Sequence, residues 1–75
     1  MPRLPRVSPD KMAQALRRAG YEDYRQKGSH LTLKHPRTRR NVTVPMHGKV
    51  LSVGITHTIL KQAGLTPEEF VDLLG

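Results

Sequence analysis

The sequence predicts an α+β fold, a small two-layer sandwich in which helices cover one face of a three-stranded antiparallel sheet. Three observations predict it. Apolar residues recur at helical spacing before Gly20 and again after Gly54. Three short segments between these stretches favour extended backbone, and two of the three alternate apolar with polar residues. A sheet that is apolar on one side needs a cover, and the flanking helical segments can supply it. The chain has 75 residues, so residues 1–75 are read as one domain, without internal repeat, low-complexity run or interdomain linker.

Residues 1–7 contain Pro2, Arg3, Pro5 and Arg6, which favour an extended lead-in from which Leu4 and Val7 can tuck against the first helix. That helix starts at an N-cap, Ser8. Pro9 takes the first helical position, where its missing N–H costs nothing, and Asp10 meets the positive end of the helix dipole. Met12, Ala15, Leu16 and Ala19 form one apolar stripe, and Gly20 ends the helix. Tyr21 to Lys27 reads as the first strand, with an ambiguous inward face: Tyr21 and Asp23 have one parity, Tyr24 and Gln26 the other. Gly28-Ser29 is a hairpin turn into a second strand, His30 to Lys34, which sets Leu31 and Leu33 against His30, Thr32 and Lys34. His35-Pro36-Arg37-Thr38-Arg39-Arg40 is a polar loop. The third strand is Asn41-Val42-Thr43-Val44, with Val42 and Val44 inward and Pro45 closing it. Gly54 opens a second helix whose expected buried side is Ile55, Ile59, Leu60 and Ala63, with Gly64 as terminator. Thr66-Pro67-Glu68-Glu69 is a capping box that starts a last short helix through Phe70, Leu73 and Leu74.

Charge points to a class of partner. Thirteen Lys plus Arg against 6 Asp plus Glu give a net charge of +7, and the segment from Arg25 to Lys49 contains no acid. Such an excess draws a protein to polyanions, with binding that weakens steeply with salt, and nucleic acid is the first candidate. A membrane surface is the competing polyanion, but the chain has no basic amphipathic helix with a broad apolar face, so no membrane partner is expected. With 36% hydrophobic residues, no Trp and one Phe, the core is thin, and an exposed site suits a polymer better than a small metabolite. The absence of cysteine excludes disulfides and thiolate chemistry. Met1-Pro2-Arg3-Leu4-Pro5-Arg6 lacks the apolar region of a signal peptide, and no apolar run approaches a membrane span, so a cytoplasmic location is expected.

Several motifs occur in a fixed order: Gly28-Ser29-His30, His35-Pro36, Val44-Pro45-x-His47, Gly54, and the run from Ile59-Leu60-Lys61-Gln62-Ala63-Gly64-Leu65-Thr66 to Glu68-Glu69-Phe70. In this order and spacing the chain resembles, over nearly its whole length, the HicA-type toxins of bacterial toxin–antitoxin pairs. The resemblance implies a fold like that of double-stranded-RNA-binding domains. It also implies mRNA cleavage centred on a single histidine of the Gly-Ser-His motif, and neutralisation by a cognate HicB-type antitoxin. On that motif the catalytic role falls to His30. Thr56 and His57 stand where many relatives carry Leu and a basic or polar residue, and Tyr21 and Tyr24 replace apolar aromatics, changes that leave the motif intact.

Residue chemistry is compatible with this expectation. No paired carboxylates lie near the basic segment, so a two-metal nuclease lacks its ligands and no cofactor is expected. RNA carries its own nucleophile, the 2′-OH. A histidine, a side-chain type that titrates at about 6.5, can act on that nucleophile as general base or acid, with nearby cations stabilising the charge on phosphorus. Arg25, Lys27, Gly28, Ser29, Lys34, Arg39 and Arg40 are the expected RNA-contacting set, although a solvated basic face is the ordinary role of such residues. His35 beside Pro36 reads as a turn signal, His47 lies in the loop before the second helix, where a phosphate contact or an antitoxin contact is open to it, and His57 faces outward on that helix. The sequence-level function is a metal-independent ribonuclease toxin; the alternative is a double-stranded RNA-binding module that performs no chemistry.

Overall fold

The computed structural model describes residues 4–75, in the order α1 (Pro9–Arg18), β1 (Glu22–Lys27), β2 (His30–Lys34), β3 (Asn41–Pro45), α2 (Val53–Ala63) and α3 (Pro67–Leu73). This is the expected α+β layout. The part of the lead-in at residues 1–3 lies outside the described residues. Val7 is buried, and its carbonyl accepts the N–H of Leu51 at 2.8 Å, which ties the lead-in to the segment before α2.

The helix boundaries follow from local chemistry. The Ser8 hydroxyl accepts the Lys11 N–H, Ser52 does the same for Ile55, and Thr66 and Glu69 exchange both bonds of a capping box. At the end of α1, Gly20 adopts φ +100°, and the N–H groups of Gly20 and Tyr21 return to the carbonyls of Arg17 and Leu16, each at 3.0 Å. Any other residue at Gly20 would be strained by this φ, and its Cβ would lie 2.8 Å from Nε2 of His35.

The sheet runs β1-β2-β3, antiparallel throughout. Leu31 and Leu33 pair with Val44 and Val42, and these four side chains face the helices and are buried. Met12 and Leu16 of α1, Ile59 and Leu60 of α2, and Phe70 of α3 close the core over them. Each large apolar side chain buried in this way stabilises the fold by about 1.5–3 kcal/mol.

Two expectations are corrected. Tyr21 does not belong to β1; it is 4% exposed, and its hydroxyl donates to the carbonyl of Ala63 at 2.8 Å. β1 therefore begins at Glu22, and all its residues are exposed, because Tyr24 bulges out of register between Asp23 and Arg25 and the strand lies at the sheet edge. Ile55 is 42% exposed, and Thr56 takes the buried place instead, its hydroxyl donating to the carbonyl of Ser52 at 2.9 Å. The physical reason is helical spacing: Thr56, Ile59, Leu60 and Ala63 stand at i, i+3, i+4 and i+7 and share one face, with Ile55 at its margin, and the hydroxyl buried among them is satisfied within its own helix.

Tyr21→Phe removes the only side-chain donor found on the Ala63 carbonyl among the described residues. Loss of about 1 kcal/mol is expected, seen as a fall of roughly 4–8 °C in thermal midpoint, whereas Tyr24→Phe should leave the midpoint unchanged.

Candidate functional site

Residues directly opposite one another across an antiparallel ladder project to the same side. The leucine and valine pairs face the helices, so the pairs between them face solvent: Lys27 with His30, Arg25 with Thr32, Glu22 with Lys34, and across to β3 His30 with Pro45, Thr32 with Thr43 and Lys34 with Asn41. This open face is the candidate site. At its centre the Thr32 and Thr43 hydroxyls approach to 3.3 Å.

His30 stands at one end of the face, immediately after the hairpin turn, and is exposed. In the turn only Gly28 has positive φ, at +61°, and that pattern at the first central residue suits the twist of a two-residue hairpin. The Ser29 carbonyl accepts the N–H of Met46, which extends the pairing past Pro45 and brings the next residue alongside the turn. The ring of His47 consequently lies 6.3 Å from that of His30, centroid to centroid, with the planes at 77°. In the sequence His47 reads as a loop residue open to a phosphate contact or an antitoxin contact. Its parity with Thr43 and Pro45 was the available signal, but it becomes useful only once the β2–β3 register is known.

The expected contact residues divide into two groups. Arg25 and Lys27 are exposed on the open face, with Gly28 and Ser29 at its end. Lys34 is half-buried, its ammonium 5.2 Å from the ring centroid of Tyr24, an exposed aromatic that sequence reasoning did not assign to the site. Arg39 joins Glu22, Asp23, Tyr24, Lys34 and Pro36 around a shallow cleft of about 220 Å³, so two carboxylates share it with the two cations. Arg40 points elsewhere. Its guanidinium donates to the Gln62 carbonyl at 3.2 Å and packs against Gly64, at the end of α2, where a cation also opposes the negative end of the helix dipole. Arg39 adopts φ +63°, and this reversal sends neighbouring arginines in different directions.

His35 is held by the fold. Its Nδ1 accepts the N–H groups of Arg37 and Thr38 at 3.1 and 3.2 Å, and its ring meets Tyr21 edge-on at 5.1 Å. Burial pushes the Tyr21 hydroxyl above its ordinary range, with Arg40 opposing the shift. His57 is exposed on α2. Among the described residues no three His, Asp or Glu side chains converge as a metal site, and no helix is long and apolar enough to cross a membrane.

Of the acids on β1, Asp23 faces the helix side and binds Arg17 of α1 through two bonds of 2.8 Å. The hydrogen bond from Arg17 holds the Asp23 carboxyl below the usual carboxylate range, against a smaller opposing effect of burial. This leaves Glu22, opposite Lys34, as the β1 carboxylate on the open face.

A family model described as "HicA toxin of bacterial toxin-antitoxin" matches residues 9–65 of the 75-residue chain. No curated protein matches it.

Because the folded-state Asp23 carboxyl titrates below its unfolded value, the pair stabilises the fold above about pH 4, and that contribution disappears as pH falls through the depressed value. Both side chains are about half exposed, so Asp23→Asn should cost no more than about 1 kcal/mol at neutral pH. Urea unfolding at a series of pH values should show the two proteins converging as pH falls below about 4 and through the depressed value of Asp23.

Proposed function

The chain belongs to the HicA toxin family, the toxin component of bacterial toxin–antitoxin pairs, and from that premise we propose that it cleaves mRNA at the open face of its sheet, with His30 as general base. The observation that carries this reading is the position of His30. An exposed imidazole sits on the solvent side of a sheet, with Lys27 directly across the ladder and Arg25 one pair further along. A strand of RNA can lie on such a face without entering a pocket.

The reaction uses the substrate's own nucleophile. His30 takes the proton of a ribose 2′-OH, and the 2′-oxygen attacks the adjacent phosphorus to give a 2′,3′-cyclic phosphate and a free 5′-hydroxyl. Arg25 and Lys27 balance the charge that builds on the phosphoryl oxygens. Lys34 and Arg39, beside Tyr24 and Glu22, hold the flanking backbone, while Gly28 and Ser29 fix the turn from which the imidazole projects. The proposed contact set therefore excludes Arg40, whose guanidinium is committed to the end of α2.

The family implies an antitoxin partner. We take it to be a HicB-type protein with an acidic contact surface, acting with the toxin in the cytoplasm and inhibiting it by covering the face that carries His30. Charge complementarity supports this, since the segment from Arg25 to Lys49 carries no carboxylate.

His30→Ala should reduce RNA cleavage by roughly 10² to 10⁴. An exposed substitution of this kind changes stability by no more than about 0.5 kcal/mol, so the thermal midpoint should hold. RNA affinity should also hold, whereas Arg25→Ala and Lys27→Ala should each weaken it and lower the salt dependence by about one unit of slope. Cleavage by His30→Ala at the native rate would leave an RNA-binding module as the better description. In hydrogen exchange, the antitoxin complex should protect residues between Arg25 and Lys49; protection confined to α3 would place inhibition elsewhere.

A further inference from the structure

RNA cleavage by an internal 2′-OH is an in-line displacement, with the entering 2′-oxygen and the departing 5′-oxygen on opposite sides of phosphorus. One proton must leave the first oxygen and another must reach the second. A single imidazole cannot serve both ends in one step, so a lone His30 leaves the departing oxygen without a donor.

His47 is placed to supply that donor. The two rings are exposed, and their centroids lie 6.3 Å apart. A catalytic hydrogen bond spans about 2.6–3.2 Å, so a phosphodiester lying across the pair can meet one imidazole at each end. Among the described residues neither ring is held by a side-chain or backbone hydrogen bond, in contrast to His35, whose Nδ1 is engaged by its own loop. The placement is built into the fold. Pro45 stands opposite His30 in the ladder, the Met46 N–H is bonded to the Ser29 carbonyl, and His47 follows with the parity of Pro45. The charged neighbours are cations: Lys27 across the ladder from His30, and Lys49 close after His47 in the chain.

Resting on the ribonuclease reading above, we propose that His47 is a second catalytic residue, the general acid for the leaving group. In one displacement, neutral His30 takes the 2′-OH proton as the bond from 2′-oxygen to phosphorus forms. The bond from phosphorus to the 5′-oxygen breaks, and protonated His47 gives its proton to that oxygen. His30 ends protonated and His47 neutral, and exchange with water restores both.

The test replaces the leaving oxygen. A site that the wild-type protein cleaves in mixed-sequence RNA is rebuilt with a 5′-bridging sulfur, whose thiolate departs without protonation. On ordinary RNA, His47→Ala should lose roughly 10² to 10⁴ in rate, and on the sulfur substrate it should return to within about tenfold of wild type. His30→Ala should remain slow on both substrates, His57→Ala should match wild type on both, and the thermal midpoints should agree. A second variant, His47→Gln, is expected to repeat the His47→Ala pattern and covers any loss of fold in the alanine variant. Native-rate cleavage of ordinary RNA by His47→Ala, an equal defect on both substrates, or recovery of His30→Ala in its place would overturn the assignment. Failure of the wild type to cleave mixed-sequence RNA is a different result, and it would overturn the ribonuclease reading itself.

Discussion

In β2, Leu31 and Leu33 must face the helices, and that requirement organises the rest of the molecule. The strand has a side-chain period of two, so burying the leucines against Val42 and Val44 turns His30, Thr32 and Lys34 to solvent. A slip of one residue would place an imidazole and an ammonium in the core and two leucines in water. Register on this strand is therefore held by the hydrophobic core, and the placement of His30, Thr32 and Lys34 on the opposite face inherits its precision from packing. The hairpin at Gly28-Ser29 adds a second constraint, because the sharp turn allows one pairing of Lys27 with His30.

Around this sheet, several polar side chains that resemble site residues tie loops to helices. Tyr21 reaches the last turn of α2, His35 fills the space left by Gly20 and orders the loop that follows it, and Arg40 binds the carbonyl of Gln62. These contacts join the β2–β3 loop to the ends of α1 and α2, which a small core with a single Phe could not do by apolar burial alone. The outcome is a division of labour between histidines and arginines of the same segment. His35 and Arg40 hold the loop, whereas His30, Arg25 and Lys27 remain on an open surface of the kind that an extended polymer can occupy.

The backbone at Arg39 illustrates the cost of that division. A left-handed conformation at a residue with a side chain is unfavourable by about 1–2 kcal/mol. It is maintained by the hydrogen bonds that close the loop, from Arg39 N–H to the His35 carbonyl and from His35 N–H to the Arg40 carbonyl. The reversal lets one arginine line the cleft beside Tyr24 while its neighbour turns to the helix end.

Most of the architecture was legible in the chain itself. Caps at Ser8 and Thr66, terminators at Gly20 and Gly64, and the alternation in β2 and β3 all act through neighbours within a few residues, so local chemistry was enough to place them. The same alternation put His30 on the solvent side, and the order of the motifs pointed to the family. Legibility failed where a residue's role depends on something distant. The buried hydroxyl of Tyr21 answers to a carbonyl more than forty positions away, and the face of α2 that is buried, with Thr56 inside and Ile55 exposed, follows from the surface the helix packs on. Arg39 and Arg40 look alike in sequence, and His47 reads there as a loop residue open to a phosphate contact or an antitoxin contact. Only the folded chain separated the first two and brought the third beside His30, because strand register and loop closure join segments whose proximity no local pattern encodes.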